Sequence, residues 1–336
     1  MKPLAGVVAG LVALVAIAAG GFLAVQWAPD RPVAELAGRW APPPSTVVPI
    51  TGLQAHVRDE GARDDPVPVV MLHGTSASLH TWDGWVEVLG QERRTVRVDL
   101  PGFGLTGPAA DGDYRIERYV EFVTALLDAF GIEQCVLAGN SFGGWVAWET
   151  ALALPGHVRA LVLVDSAGYP LESQSVPIGF RIARIPLLNR LMRVTLPRGV
   201  VASSLRNTYG EPSRVTPQLV DRYYELTLRE GNRAALAQRF AAGRHSAQPE
   251  RVRELRVPTL ILWGGRDRLI PPPYAERFHR DIAGSRLVVF PDLGHVPHEE
   301  DPRATADAVV EFLASAVPPA QSTRDSVDAS TSPRAP

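Results

Sequence analysis

Residues Cys135-Val136-Leu137-Ala138-Gly139-Asn140-Ser141-Phe142-Gly143 decide how this chain is read. The first four are apolar and suit a strand buried on both faces. Trp145-Val146-Ala147-Trp148-Glu149-Thr150-Ala151-Leu152 follow and read as a helix. A serine between a strand and a helix, flanked by glycines, is the pattern of an exposed nucleophile on a sharp turn. Side chains at the flanking positions of so tight a turn would meet neighbouring backbone, and glycine avoids this. The helix behind Ser141 aims its free N–H groups toward any oxyanion that forms beside the hydroxyl.

A serine hydroxyl is a poor nucleophile at neutral pH. It needs a base, and the base needs an acid that orients it. Two later strand-like runs end in such groups. Thr259-Leu260-Ile261-Leu262-Trp263 leads to Gly264-Gly265-Arg266-Asp267, and Leu287-Val288-Val289-Phe290 leads to Pro291-Asp292-Leu293-Gly294-His295. The order Ser, Asp, His, each after a strand, assigns Ser141 as nucleophile, His295 as base and acid, and Asp267 as the carboxylate behind it. Asp165, which ends the apolar run Val158–Val164, is the competing acid. His298 lies close to His295 but reads as a surface residue of the following loop.

The chain has 336 residues, 46% hydrophobic and 21% charged, enough for one large core with an inserted subdomain. A net charge of −2, with no Lys/Arg-rich run, offers no field for nucleic acid. Cys135 is the one cysteine, which excludes an intramolecular disulfide, and it reads as a small buried hydrophobe. No Cys/His cluster has zinc-binding spacing, so neither a metal nor a cofactor is expected.

Leu4 to Trp27 carries no charged residue, and a helical bilayer span needs roughly 20 apolar positions. Residues 4–27 are therefore expected to be an uncleaved transmembrane anchor, with Trp27 at the interface. The alternative is a signal peptide cut near Ala16-Ile17-Ala18, giving a secreted protein. The run continues through Phe22-Leu23-Ala24-Val25, beyond the roughly 7–15 residues of a signal core. Lys2 ahead of the span favours a catalytic domain outside the cytoplasm, with Arg31 and Arg39 competing on the other side.

Residues 28–45, polar and proline-rich with Pro42-Pro43-Pro44, read as a linker. Strands are expected at 46–50, 53–57, 67–72, 95–98 and 158–164, and helices at 81–89 and around Tyr119, Phe122, Val123, Leu126, Leu127 and Phe130. This alternation places the chain in the α/β class, with a mainly parallel sheet flanked by helices. It breaks after Asp165. Residues 168–256 have helical character over 185–194, 218–229 and 233–242 and no clear strand. The core thus falls in two parts, 46–167 and 257–317, around an insertion, and 318–336 is a polar tail expected to be disordered.

Five segments carry a family resemblance: Leu72-His73-Gly74-Thr75, Asp99-Leu100-Pro101-Gly102-Phe103-Gly104, Gly139 to Gly144, Gly264 to Pro271, and Gly294-His295. In this order they resemble the α/β-hydrolase fold family, in its capped serine-hydrolase branch. The resemblance implies a helical cap over 168–256. The backbone N–H groups of Phe142 and Thr75, with Ser76 as an alternative, are the expected oxyanion donors, and His73 reads as a packing residue of that loop. Phe103, Trp145, Trp148, Phe180 and Leu188 are candidates to line a pocket or, equally, to pack in core and cap.

Relatives with an elbow aspartate, the haloalkane dehalogenases and epoxide hydrolases, are set aside by Ser141. The primary expectation is a membrane-anchored ester hydrolase acting on a small or lipophilic ester, similar to membrane-anchored monoacylglycerol lipases. Asn140 resembles the carbon–carbon bond hydrolases of ring-cleavage products. Those enzymes usually carry tryptophan after the catalytic histidine, where this chain has Val296. A hydrolase-fold ligand-binding protein is the non-enzymatic alternative.

Overall fold

Among the described residues eight strands form one sheet: β1 (Ser45–Ile50), β2 (Leu53–Gly61), β3 (Val69–Leu72), β4 (Arg94–Val98), β5 (Cys135–Asn140), β6 (Val158–Val164), β7 (Thr259–Gly264) and β8 (Arg286–Phe290). The computed structural model describes residues 23–242 and 248–317, with scattered positions between 10 and 21. Strand order is β1-β2-β4-β3-β5-β6-β7-β8. The first two pairings are antiparallel, and every pairing from β4 to β8 is parallel. The central strands β3, β5 and β7 are buried along their whole length, as parallel strands covered on both faces must be.

The helices Asp83–Leu89 and Pro302–Ala316 cover one face, packing Trp85, Val309 and Phe312 onto Met71, Val136 and Val162. The helices Ile116–Ala129, Phe142–Ala153 and Pro273–Asp281 cover the other, with Phe122, Val146 and Phe278 against Val70, Leu137 and Leu161. Between β6 and β7 the chain leaves the sheet for a cap of five helices: Ile178–Ala183, Pro186–Met192, Arg198–Thr208, Pro217–Thr227 and Asn232–Ala242. Proline within the first turn starts the second and fourth of these, where a missing N–H costs nothing.

The segment expected to be a linker differs from that reading. Val33–Trp40 is a helix, and Leu36 on its inner face packs with Leu105 of the core and Leu226 of the cap. Trp40, one turn on, donates its indole N–H to Glu225 at 2.7 Å. The i, i+4 spacing of Leu36 and Trp40 is enough for one buried face; eight residues of mixed polarity hid it behind the neighbouring prolines. Much of the expected 4–27 anchor, and all of the 318–336 tail, lie outside the described residues. No helix among the described residues is long and apolar enough to cross a membrane. The described positions of the run are mostly helical, and Leu11, Leu14, Ile17 and Val25 are exposed.

Candidate active site

Ser141 sits between β5 and the helix Phe142–Ala153 with φ 55° and ψ −116°. Such a conformation costs a non-glycine residue about 1–3 kcal/mol and persists only where the surroundings enforce it. Here they do. The Ser141 N–H donates to Val164 O at 2.9 Å, and the Ala167 N–H donates to Ser141 O at 2.9 Å. A Cβ on Gly139 would stand 2.2 Å from Gly143 O, and one on Gly143 would stand 2.2 Å from Leu72 O. The two glycines let the helix start press against β5 and β3, which thrusts the serine forward.

His295 and Asp267 meet at the carboxyl ends of the strands. The ring Nδ1 of His295 lies 2.7 Å from Oδ2 of Asp267. The other oxygen of Asp267 accepts the N–H groups of Leu269 at 2.8 Å and Ile270 at 3.0 Å. A carboxylate so held orients the ring and leaves Nε2 for the proton traffic at a serine. Ser141 and His295 line the same cavity.

Asp165 lies in the same cluster: one donor atom from each of Asp165, Asp267 and His295 falls within 4.8 Å of the others. Its Oδ1 accepts the Gly264 N–H at 3.0 Å, while Oδ2 is buried without a partner among the described residues. Burial, then the charge of Asp267, push its carboxyl well above the usual range. Of the two acids, only Asp267 is placed on the histidine ring.

Sequence reasoning missed the residues that fix the histidine loop. The Asn140 amide donates to His295 O at 3.0 Å and to Val164 O at 3.1 Å, tying the elbow to the loop. Glu300 accepts the N–H of Gly294 at 2.6 Å and that of Gly210 at 3.0 Å, joining loop to cap. Asp99 does the same under the loop after β3, accepting the N–H groups of Leu79 at 2.7 Å and Leu105 at 2.8 Å and bonding the His56 ring at 2.7 Å. Burial opposes its charge, but His56 holds the carboxyl well below its usual range. A buried acid in a loop motif is the only signal the sequence offers for such a role, and it does not say what the acid holds.

His298 corrects the reading as a surface residue. It is fully buried, its ring 4.2 Å from that of Trp82, with Nε2 3.0 Å from Thr81 Oγ1. Burial, and then His295, push its pKa well below the usual value. The apolar flank supplied by Trp82 is long-range and invisible in local sequence. His73 is buried and neutral in character: its Nδ1 bonds Gly74 O at 2.7 Å and its Nε2 accepts the Leu100 N–H at 2.9 Å.

The cavity encloses about 800 Å³ of empty space, part of it open to solvent. Thr75 and Ser76 line it from the core, and Phe180, Met192, Val201 and Leu205 from the cap. Phe142 opens the elbow helix, where the first N–H groups have no intrahelical acceptor. Of the five aromatic and aliphatic candidates, Phe180 lines the cavity. Phe103, Trp145 and Trp148 are buried in the core, and Leu188 is exposed on the outside of the cap. Among the described residues, no lining residue is Asp, Glu, Lys or Arg.

Residues 67–302 match the alpha/beta hydrolase fold family. The chain is 30% identical over 275 residues to a 2-hydroxy-6-oxo-2,4-heptadienoate hydrolase of Pseudomonas putida, covering 78% of this chain and 94% of the relative. Among solved structures it is similar to a meta-cleavage product hydrolase, with TM-score 0.70 and 24% identity over 80% of this chain and 97% of that one. A membrane phospholipase A described as a bacterial virulence factor gives TM-score 0.68 at 25% identity, covering 94% of this chain and 99% of that one. The fold, the strained serine turn and the match over both halves of the core agree: the chain belongs to the α/β-hydrolase fold family.

Proposed function

We propose that this protein is a membrane-anchored serine hydrolase that cleaves a lipophilic carboxylic ester through an acyl-enzyme. The observation that carries this reading is the cavity in front of Ser141 and His295, apolar and, among the described residues, lined by no Asp, Glu, Lys or Arg. In the proposed cycle Ser141 Oγ attacks the ester carbonyl while His295 Nε2 takes its proton. The N–H groups of Phe142 and Thr75 receive the oxyanion. His295 then protonates the leaving alkoxide, and a water, deprotonated by the same ring, releases the acid. Asp267 stays ionised and stabilises the imidazolium. The uncharged run over 4–27, with its exposed Leu11, Leu14 and Ile17, supports anchoring, and Lys2 supports a catalytic domain outside the cytoplasm. The similarity to a membrane phospholipase A, over 94% of this chain, supports the same class.

The second reading, hydrolysis of a carbon–carbon bond in a dienoate ketone, is favoured by the identity to the Pseudomonas putida hydrolase. Such a substrate carries a carboxylate, which needs a partner when buried. The buried Arg239 beside the elbow faces the Phe142 ring at 4.5 Å and is not a lining residue. Incubating the full chain in detergent with p-nitrophenyl esters of graded acyl length, beside Ser141→Ala, tests the proposal. Ser141-dependent turnover rising with acyl length is expected. Turnover of a coloured dienol ketone in the absence of ester cleavage would replace it with the second reading. Tight ligand binding without turnover of either would make the protein a hydrolase-fold binder.

A further inference from the structure

The outer face of the cap has a composition that the cavity does not use. Ile178, Ile185, Leu188, Leu191 and Val194 are 36–47% exposed along the helices Ile178–Ala183 and Pro186–Met192 and the turn after them. Leu188 and Leu191 share one side of the helix Pro186–Met192 at i, i+3 spacing, and Ile185 and Val194 flank the two ends of that helix. Arg181, Arg190 and Arg193 are exposed beside them, and none of the three is held in an ion pair among the described residues. No acidic residue occurs between Glu172 and Glu211. Many arginines elsewhere on the surface stand opposite carboxylates, as Arg118 does with Asp111 and Glu121, although among the described residues exposed Arg159, Arg256 and Arg268 do not. A solvated face of a soluble domain rarely leaves several large aliphatic side chains together. Aliphatic residues interleaved with arginine are the composition of a segment that lies in the interface of an anionic bilayer.

The chain's own course places this face. Trp27 bridges Thr195, the Ala28 N–H donates to Val194 O at 2.9 Å, and the Leu196 N–H donates to Gln26 O at 3.3 Å. The apolar N-terminal run therefore leaves the domain at the end of the aliphatic patch. Phe180 and Met192, on the inner side of the same two helices, line the cavity. From charge complementarity and this continuity we infer that the cap face formed by Ile178–Val194 docks on the surface of an anionic phospholipid bilayer, so that the cavity wall and the membrane interface are two sides of one helical layer. The inference rests on the anchored reading of the N-terminal run, and not on which bond is cleaved.

The test uses the full chain in nanodiscs of phosphatidylcholine, with or without phosphatidylglycerol. Cys135 is buried, so an environment-sensitive fluorophore can be placed selectively on Leu188→Cys. Glu92→Cys serves as control, because Glu92 is exposed just before β4, at the opposite end of the sheet from the elbow. Blue-shifted emission quenched by doxyl lipids is expected for L188C in anionic discs, and water-like emission for E92C. At about fivefold per arginine, replacing Arg181, Arg190 and Arg193 by Gln should lower the docked-to-free ratio on the order of a hundredfold. Water-like emission from L188C in a disc-bound chain overturns docking, as does a chain that does not enter discs. A blue shift that doxyl lipids do not quench also overturns it, since the patch is then covered by protein. Ser141-dependent ester turnover is read in the same discs. Docking without turnover sinks the ester reading alone, and turnover with a water-like L188C sinks docking alone.

Discussion

At the scale of single residues the site contains two acids and one histidine, and geometry separates their roles. Asp267 touches the ring; Asp165 touches Asp267's neighbourhood and the Gly264 N–H. Asp267→Asn is expected to lower kcat/KM by on the order of 10⁴, since an amide favours the wrong tautomer of His295. Asp165→Asn keeps the bond to Gly264 and the neutral state that burial already enforces, so activity should stay within about fivefold, a change of roughly 1 kcal/mol. Steady-state kinetics on one ester compare the two; the reverse ranking would make Asp165 the acid. Most of this was legible in sequence. Ser141, Asp267 and His295 each follow a strand by a few residues, and chain order did the rest. The raised carboxyl of Asp165 was not legible, because it depends on burial and on a carboxyl brought from β7 to the end of β6.

Elements, rather than residues, set the serine's position. The helix Phe142–Ala153 starts so close to β3 that Gly143 faces Leu72 O. Gly143→Ala is expected to remove activity and to cost several kcal/mol of stability, of the order seen for overpacked or strained core sites. Urea melts beside an ester assay check this, and an active, stable variant would mean that the helix can slide. Strand-helix alternation was readable because short valine-rich runs have no other use at such spacing. The helices Ile178–Ala183 and Arg198–Thr208 had no individual signal, and Val33–Trp40 was hidden by prolines on either side. In each case burial against a distant segment, not local pattern, makes the helix. The same holds for Asn140, whose place in the elbow was plain and whose bond to His295 O was not.

For the whole molecule the buried histidines make stability depend on pH. Burial lowers the pKa of His73 and His298, and that of His80 to about 4. Below about pH 6.5 the unfolded chain binds protons at these rings that the folded chain does not, so stability falls as pH falls. The raised carboxyls of Asp165, Glu149 and Glu300 act in the opposite sense, so a difference measurement isolates one ring. His298→Phe keeps a ring over Trp82 and is expected to lose up to about 2 kcal/mol less than wild type between pH 6.5 and 5. Urea midpoints at the two pH values decide it, and equal slopes would place the proton on His298 in the fold.

Residues 28–41 cross from the cap to the core. Asp30 pairs with Arg233, Arg39 with Glu225, and the Trp40 carbonyl lies 2.9 Å from the His80 ring. This gives the position of a proteolytic cut an unexpected weight. In the anchored chain proposed above, a protease acting between Leu23 and Trp27 would release a domain with its cap still latched. One acting just beyond Trp40 would release the same sheet and the same Ser141 with the cap freed from its strap. The two released forms, of similar mass, would then differ in how readily the cavity opens.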